Sequence, residues 1–418
     1  MFNSITLLGS SSGRNAGDAA LIAGIMDGID DALGKSLLYE IPTIRPSYIR
    51  DNYHNKTKSV GMMPWHGSIK MFGLPTYNSI MRTDLSLIFD AILFDRSLYN
   101  PLFNYMWSVS KMLSAAKKKG KKMGLYNVGA GPVDTKAGQD ILRDLAEDMD
   151  FITVRDSASL KLLKDLGVKN PNILLTADAA LTVKPSDELR VASIMKSLGF
   201  GLNEEILGIN INAYLDTWVR PKLGTDVKAK RTSMGKERFL SIYSEALNRF
   251  LKDTGVPVMF ISTQHHDVSV TTELMSLVNV PVKKNIFSNV TYNHYDVKGV
   301  MGKLSMLFGM RLHSTILSAS ALTPTLGLTY QPKVADFFNT LGQGDLSLSF
   351  DNFTPEGIYN HLVKGWDNRA SIKETLKKMI PVRQRDALIA ASLVASLSKG
   401  ESINHYFENQ KVSASLNS

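Results

Sequence analysis

Short apolar runs alternate with amphipathic helical segments along most of the chain. In the first half, the runs that predict strands are ITLLG, SLLYEI, LSLIFDAILF, KMGLYNVGAG, FITV and ILLT. In the second half they are EILGININ, VPVMFIST, SMLFG, TLGLTY and LSLSF. Because buried strands separated by helices are typical of parallel sheets with helical crossovers, this pattern predicts an α/β fold.

A polar segment with a proline, KPSDE at 184–188, interrupts the alternation near the middle of the chain. The 418 residues exceed what one hydrophobic core usually spans. We therefore predict two doubly wound, Rossmann-like domains facing a cleft, at 1–185 and 186–380, followed by a C-terminal helix and frayed tail at 381–418. This layout resembles that of GT-B enzymes.

Helix ends are also readable from the sequence. After FITV, Ser157 is a candidate cap and Gly167 a candidate stop. The basic run KKKGKK at 117–122 has two readings. It could touch an anionic membrane face, or it could end a helix at which cations offset the macrodipole and Gly120 supplies the stop.

Composition narrows the cellular setting. The chain has no Cys, which excludes disulfides and thiolate metal sites. The first residues lack the basic region followed by a long apolar run that is typical of a signal peptide. No apolar run approaches the roughly 20 residues that are needed to cross a bilayer. We expect a cytoplasmic protein, with peripheral contact at the inner face of the membrane as an option. The formal net charge of +9 suits polyanions, anionic lipid surfaces or anionic small substrates, and no nucleic-acid partner is expected.

The segment FGMRLHSTILSASALTPTLGLTYQPK carries the densest candidate chemistry. Its two apolar runs predict strands that each lead into a helix, which places Arg311, His313 and Lys333 at helix openings along one sheet edge. Ligands of open α/β sheets bind at that edge, and helix N-termini favour anions. The pattern indicates a phosphate or carboxylate site. The alternative is that the cations are surface charges and His313 a helix cap.

Two further strand ends carry candidate residues in the first half. In LLGSSSGRNAGDAALIAGI, backbone amides at the opening of a helix could hold an anion or a sugar hydroxyl. Asp18 lies in the first turn of that helix, as a dipole partner or as a base. In FITVRDSAS, Arg155 could bind a carboxylate with two prongs, or form an ion pair with Asp156 or a neighbouring loop.

The motif FISTQHHDVSV places polar residues after a strand of the second half. Gln264, His265, His266 and Asp267 could line a cleft or bind a metal. Adjacent side chains usually point apart, and no second cluster supplies further ligands, so we predict no metal site.

Taken together, the motifs resemble those of the polysaccharide pyruvyl transferase family. The family's recurrent features appear here in the same order, over about residues 1–345, as NAGD at 15–18, GAGP from Gly129, RDSAS from Arg155, QHHD from Gln264, and RLHS from Arg311 followed by YQPK. The resemblance implies a GT-B-like fold and transfer of pyruvate from phosphoenolpyruvate onto two hydroxyls of one sugar, forming a cyclic ketal. It also implies phosphoenolpyruvate as co-substrate and a polysaccharide or lipid-linked sugar as acceptor. No cofactor is expected.

The resemblance places Arg155, His313 and Lys333 at the donor site. We assign Arg155 to the donor carboxylate, Lys333 with Arg311 to the phosphate, and His313 as general acid. Further expected donor contacts are Ser314, Gln264 and His265. Expected acceptor contacts are Asn15, Gly17 and Asp95, and the candidate bases are Asp18, Asp90 and Asp95.

One segment departs from the family pattern. Where the family usually has a glycine pair, this chain reads FDAILFD, with Asp90 and Ala91 in place of the glycines. A side chain there would narrow the cleft or add a carboxylate. Two alternatives therefore stay open: a GT-B glycosyltransferase that uses a sugar nucleotide, and a catalytically silent glycan-binding homologue.

Overall fold

The structure is a computed structural model that describes residues 1–62, 73–89, 92–95, 105–213, 234–330 and 332–408. Its contacts divide the chain into two compact units. Unit 1 comprises the described residues of Met1–Gly13, Asp18–Val183 and Arg383–Ser418. Unit 2 comprises those of Arg14–Gly17 and Lys184–Val382. The assignment of the halves to acceptor and donor sides stays a prediction.

The described part of unit 1 contains a seven-stranded parallel sheet in the order β3-β2-β1-β4-β5-β6-β7. Its strands are β1 Ser4–Leu8, β2 Leu38–Thr43, β3 Lys56–Gly61, β4 Leu85–Ile88, β5 Lys122–Val128, β6 Phe151–Val154 and β7 Ile173–Leu175. The helices between them are α1 Ala16–Leu33, α2 Pro46–Asn52, α3 Leu74–Arg82, α4 Tyr105–Lys117, α5 Lys136–Glu147 and α6 Ser157–Asp165, and a short 3-10 helix spans Ala179–Thr182.

The described part of unit 2 contains a six-stranded parallel sheet in the order β10-β9-β8-β11-β12-β13. Its strands are β8 Leu207–Asn210, β9 Val258–Ser262, β10 Lys284–Ser288, β11 Met306–Gly309, β12 Thr325–Thr329 and β13 Ser347–Ser349. Its helices are α7 Glu188–Ser197, α8 Lys236–Thr254, α9 Val268–Leu277, α10 His294–Met301, α11 Leu312–Ser320, α12 Pro332–Thr340, α13 Pro355–Asp367 and α14 Arg369–Lys399, the last of which continues into unit 1.

Central strands of both sheets are buried along their whole length, as β4, β6, β8 and β9 illustrate. Parallel sheets are covered by helices on both faces, so their inner strands are continuous apolar runs. The predicted α/β class with parallel sheets and flanking helices is confirmed. In the described part of the chain, no helix is long and apolar enough to cross a membrane.

Two strands were not predicted, and both lie at sheet edges. β3 reads KTKSVG and β10 reads KNIFS, and each has a single neighbouring strand. Their side chains are largely exposed or half-buried, which removes the apolar signal. The run LSLIFDAILF was expected to be one strand. That expectation is wrong, because β4 ends at Ile88.

Helix ends agree with the sequence in most cases. Gly120 and Gly167 have positive φ angles of 71° and 72°, beyond the ends of α4 and α6, so both predicted stops are confirmed. The predicted cap Ser157 is wrong. The cap of α6 is Asp156, whose side chain accepts the backbone N–H of Ser159 at 2.7 Å, and Ser157 is the first helical residue. The predicted tail at 410–418 lies outside the described residues.

Candidate functional site

The carboxyl ends of β8 and β11 meet where the strand order of unit 2 reverses. These strands are parallel neighbours, with Asn210 opposite Gly309. β9 and β10 continue on one side, whereas β12 and β13 continue on the other. Ligands of doubly wound sheets bind outside the carboxyl ends of the strands at such a switch point. The RLHS motif follows β11 directly, so Arg311 and His313 lie at this position.

The side chain of Asn210 fixes the start of α11. It is fully buried, and its Nδ2 donates to the carbonyl oxygen of Ile261 in β9 at 2.8 Å. Its Oδ1 accepts the backbone N–H of Arg311 at 3.1 Å and the hydroxyl of Ser314 at 2.7 Å. One carboxamide therefore joins the ends of β8 and β9 to the first turn of α11.

Ser314, an expected donor contact, takes part in these hydrogen bonds at the start of α11. Its residue is fully buried, and its hydroxyl also lies 2.6 Å from the carbonyl oxygen of Arg311. A Cβ placed on Gly309 would lie 3.0 Å from the Ser314 Oγ, so the glycine lets α11 begin close to the end of β11. The arrangement gives Ser314 a structural role, and its contact with a donor stays a prediction.

Arg311 is held by a buried carboxylate. Its Nη2 donates to Oδ1 of Asp267 at 2.7 Å, and its Nε donates to Oδ2. The Asp267 side chain is fully buried, whereas that of Arg311 keeps 19% of its surface exposed. The backbone N–H of Ala213 also donates to Oδ1 of Asp267, at 2.9 Å. The guanidinium is thus held in one orientation at the switch point.

His313 lies on the backbone of the Asn-x-Gly-Asp motif. A Cβ placed on Gly17 would lie 2.3 Å from the Cβ of His313 and 2.4 Å from its Nδ1. His313 is the second residue of α11 and is partly exposed. A side chain at position 17 would therefore displace the imidazole or the chain that carries Gly17.

The segment Arg14–Gly17 belongs to unit 2 through its contacts at the end of β9. Asn15 and Gln264 form an isolated antiparallel bridge, and the backbone N–H of His265 donates to the carbonyl oxygen of Arg14 at 3.0 Å. Gln264 and His265, both expected donor contacts, are partly exposed here. The fold therefore brings the Asn15 and Gln264 motifs together in one backbone pairing.

Two backbone N–H groups of this segment, which the sequence suggested as possible anion contacts, form hydrogen bonds within the protein. The backbone N–H of Ala16 donates to the carbonyl oxygen of Thr263 at 2.8 Å, and that of Gly17 donates to Oδ1 of Asn15 at 2.9 Å. These two N–H groups therefore already have partners within the protein, and the predicted acceptor contacts of Asn15 and Gly17 stay predictions. The segment packs against His313 through Gly17.

Lys333 lies at the neighbouring helix opening. β12 pairs with β11 in parallel, with Gly309 opposite Gly327, and α12 follows β12. Lys333 is in the first turn of α12 and is partly exposed. The predicted arrangement of two successive strands that lead into helices with cationic first turns is confirmed.

In unit 1, Arg155 forms an almost completely buried ion pair. Its Nη1 donates to Oδ2 of Asp178 at 2.7 Å, and the two side chains are 5% and 6% exposed. A Cβ on Gly129 would lie 2.9 Å from Nη2 of Arg155, so the GAGP segment packs against the guanidinium. The partner is Asp178 rather than Asp156, which caps α6. Binding of a donor carboxylate by Arg155 stays a prediction.

Asp95 supports a helix start. It accepts the hydroxyl hydrogen of Thr135, whose Oγ1 accepts the N–H of Gly138 at 3.0 Å in the first turn of α5. Asp95 is 5% exposed. Asp18 is partly exposed in the first turn of α1, where a carboxylate suits the helix dipole. Asp90 and Ala91 of FDAILFD lie outside the described residues, so the choice of base stays a prediction.

Among the residues that the structure describes, no group of three or more His, Asp and Glu side chains is placed to hold a metal ion. Asp267, the carboxylate of the QHHD motif, binds Arg311 instead. Sequence reasoning missed the roles of three residues, namely Asn210, Asp267 and Asp178. Asp267 belongs to the QHHD motif, but its partner Arg311 follows it by 44 residues, and no local sequence pattern links two residues at that distance.

Comparisons with known proteins identify the family of the chain and its fold. A model of the family described as polysaccharide pyruvyl transferase matches residues 15–332, from the first residue of the NAGD motif to α12. The amylovoran biosynthesis protein AmsJ of Erwinia amylovora is 20% identical over 434 residues, covering 94% of this chain and 99% of AmsJ.

Two solved structures illustrate the likeness in fold. The UDP-GlcNAc 2-epimerase of Neisseria meningitidis bound to UDP-GlcNAc has a TM-score of 0.62 and 12% identity, covering 95% of this chain and 99% of its own. The Anabaena protein Alr3699/HepE in complex with UDP-glucose has a TM-score of 0.58 and 7% identity, covering 95% and 99%. These likenesses confirm the GT-B-like fold. Because the family match spans well over half of the sequence, the chain belongs to the polysaccharide pyruvyl transferase family.

Proposed function

We propose that the protein transfers pyruvate from phosphoenolpyruvate to two hydroxyls of one sugar in a cell-envelope or exopolysaccharide glycan, forming a cyclic ketal and releasing phosphate. The observation that carries the proposal is the switch point of unit 2, where Arg311 precedes α11, His313 lies in its first turn, and His313 packs against Gly17. Family membership supports pyruvyl transfer, and the relative named for amylovoran biosynthesis supports a polysaccharide acceptor.

The donor's phosphate suits the charges at this edge. The N-terminal turns of α11 and α12 carry partial positive charge, and each begins at the carboxyl end of a central strand. Arg311 adds a guanidinium of fixed direction, and Lys333 adds an ammonium in the first turn of α12. We assign both side chains to the phosphate, because charge-assisted hydrogen bonds are the strongest contacts available to it.

The chemistry has two steps. His313, as imidazolium, gives a proton to the methylene carbon of the donor while a sugar hydroxyl oxygen bonds to the neighbouring carbon, and the carbon–carbon double bond becomes single. A second hydroxyl oxygen then bonds to the same carbon as its bond to the phosphate oxygen breaks. The proton lost by the first hydroxyl restores the imidazolium, and the proton lost by the second leaves with the phosphate.

Negative charge develops on the phosphate as its bond to carbon breaks. The guanidinium of Arg311 and the first turns of α11 and α12 would face this charge from positions that the protein already fixes. Stabilisation of the developing charge by groups already in place is the usual source of rate enhancement in such sites.

One experiment separates the proposal from the alternatives. The purified protein is incubated with glycans from cells that lack it, together with either phosphoenolpyruvate or nucleotide sugars. Glycan-dependent release of phosphate supports the proposal. Release of nucleotide supports a sugar-nucleotide glycosyltransferase. This alternative is tested because two proteins of similar fold have been solved with UDP-GlcNAc and UDP-glucose bound. Absence of both supports a silent glycan-binding protein.

A further inference from the structure

We propose that Asp267 is a positioning residue for the donor: it holds the guanidinium of Arg311 in the orientation that receives the donor's phosphate. The inference rests on the proposed function. Nothing in the family motif requires this pairing, because QHHD and RLHS are separate segments whose residues Asp267 and Arg311 lie 44 positions apart. Only the strand order of unit 2 brings them together.

The topology explains how the pair forms. β8 lies between β9 and β11 and pairs with both in parallel. Asp267 ends the 3-10 turn that follows β9, and Arg311 precedes the first residue of α11 after β11. Ala213, after β8, gives its N–H to the same carboxylate at 2.9 Å. Asp267 follows β9, and its carboxylate therefore binds groups that follow the other two strands at the switch point, β8 and β11.

The contact restricts the guanidinium in direction as well as in distance. Arg311 uses its Nε and Nη2 in a two-pronged contact with the two carboxylate oxygens of Asp267. A planar guanidinium bound along one edge cannot rotate without losing both hydrogen bonds.

Stability alone is a poor reason for such a pair. Removing a carboxylate and a guanidinium from water costs free energy that their attraction often fails to recover, and apolar replacements are frequently as stable. Asp267 is fully buried, so it bears this cost in full, whereas Arg311 keeps part of its surface exposed at the ligand edge. We infer that the pair serves to fix the direction of Arg311 at this edge.

Unit 2 offers a matched control. Asp296 is also buried and also receives two guanidinium hydrogen bonds, from Arg190 Nε at 3.2 Å and Nη2 at 3.1 Å. It further accepts the hydroxyl of Ser186 at 2.7 Å. A purely structural role for Asp267 predicts that Asp267→Asn and Asp296→Asn behave alike.

The test is a double-mutant cycle on the full chain, with the KM for phosphoenolpyruvate, the kcat and the Tm as readouts. We expect Asp267→Asn to raise the KM by about tenfold or more. Arg311→Lys should raise it by a similar factor, and the double variant should be no worse than Arg311→Lys alone, because both changes remove one interaction. Asp296→Asn should lower the Tm and leave the KM unchanged.

A second variant keeps the test decisive if Asp267→Asn folds poorly. The pair Asp267→Glu with Arg311→Lys keeps opposite charges at both positions but lacks the planar fork. We expect it to regain most of the Tm while the KM stays raised, since an ion pair is restored without the orientation. Recovery of a normal KM in this pair would overturn the inference.

The remaining outcomes separate this inference from the proposed function. If the native protein consumes phosphoenolpyruvate but Asp267→Asn resembles Asp296→Asn in both KM and Tm, only the role of Asp267 fails. Multiplicative losses in the double variant also overturn it. If the native protein releases no phosphate, the proposed function fails first. Calorimetric titration with inorganic phosphate then still tests the role of Asp267, because Asp267→Asn must bind phosphate more weakly than the native protein does.

Discussion

His313 lies directly against the backbone of Gly17, so close that a Cβ at position 17 would come within 2.3 Å of the Cβ of the histidine. Contacts this short do not occur between real side chains. The glycine of the NAGD motif and the histidine of the RLHS motif are therefore parts of one packing arrangement, although nearly 300 positions separate them in the chain. The proposed acid has its place because position 17 lacks a side chain.

Replacing Gly17 with Ala should move the imidazole and lower kcat by about 10- to 100-fold, since misplacement of a catalytic group by about an ångström has effects of this size. Helix propensity alone would favour Ala, so the loss must come from the clash. Gly235→Ala is the control, because position 235 precedes α8 with a φ of −72° and no atom of the described residues lies within 4 Å of the added Cβ. Equal kcat values in the two variants would contradict the packing argument.

Replacing His313 with Ala should lower kcat by about 10²- to 10⁴-fold, the usual contribution of a general acid, while the Tm changes little. His266→Ala is the control, because this exposed histidine follows β9 in the same unit and has no assigned role. Phosphate release under saturating phosphoenolpyruvate is the measurement. Full activity in His313→Ala would remove this residue from the mechanism.

The central strands could be predicted from the sequence because helices cover both faces, which makes β4, β6, β8 and β9 continuous apolar runs. Two edge strands, β3 and β10, could not, although the other two edge strands, β7 and β13, fall in the predicted runs ILLT and LSLSF. KTKSVG and KNIFS contain few apolar residues and expose much of their surface, so they resemble loops. Hydrophobic patterning indicates buried strands and therefore gives little signal for these two.

The places of the candidate site residues in the fold could be predicted from the sequence, but their hydrogen-bond and ion-pair partners could not. Arg311, His313 and Lys333 follow central strands, and the general rule for parallel sheets places such residues at the ligand edge. Their partners depend on strand order, which no local pattern encodes. Asn210 reaches Ser314 across 104 positions, and Arg155 pairs with Asp178 rather than with its neighbour.

Replacing Lys333 with Ala should raise the KM for phosphoenolpyruvate by about tenfold and change kcat less, because the ammonium is assigned to binding the phosphate. Lys236→Ala is a matched control. Lys236 also lies in the first turn of a helix of unit 2, where it pairs with Glu273 at 2.7 Å. An unchanged donor KM in Lys333→Ala would exclude the phosphate assignment.

Replacing Arg155 with Ala should destabilise unit 1 by about 3–5 kcal/mol, because it leaves the buried carboxylate of Asp178 without its cation. Denaturant unfolding measures the change. Arg143→Ala is the control, since its ion pairs with Asp140 and Asp144 are largely exposed and should contribute under about 1 kcal/mol. Loss of activity at unchanged stability would instead favour direct donor binding by Arg155.

The stability of unit 2 should depend on alkaline pH through Lys298. Burial lowers the pKa of this ammonium from 10.5 to about 8. Between these values the unfolded chain binds a proton that the folded chain has lost, so the free energy of unfolding rises with pH. Relative to Lys298→Met, the native protein should gain about 1–3 kcal/mol between pH 8 and 10.5. A difference that stays constant with pH would contradict this.

The most direct test follows the donor carbon itself. Phosphoenolpyruvate labelled at its enol carbon is incubated with the native protein and with glycans from cells that lack it, and the glycan is examined by nuclear magnetic resonance. We expect the label to appear as a ketal carbon bonded to two sugar oxygens, with one phosphate released for each ketal and no product from His313→Ala. The account would be contradicted if the folded native protein left phosphoenolpyruvate unconsumed and instead released nucleotide from a nucleotide sugar.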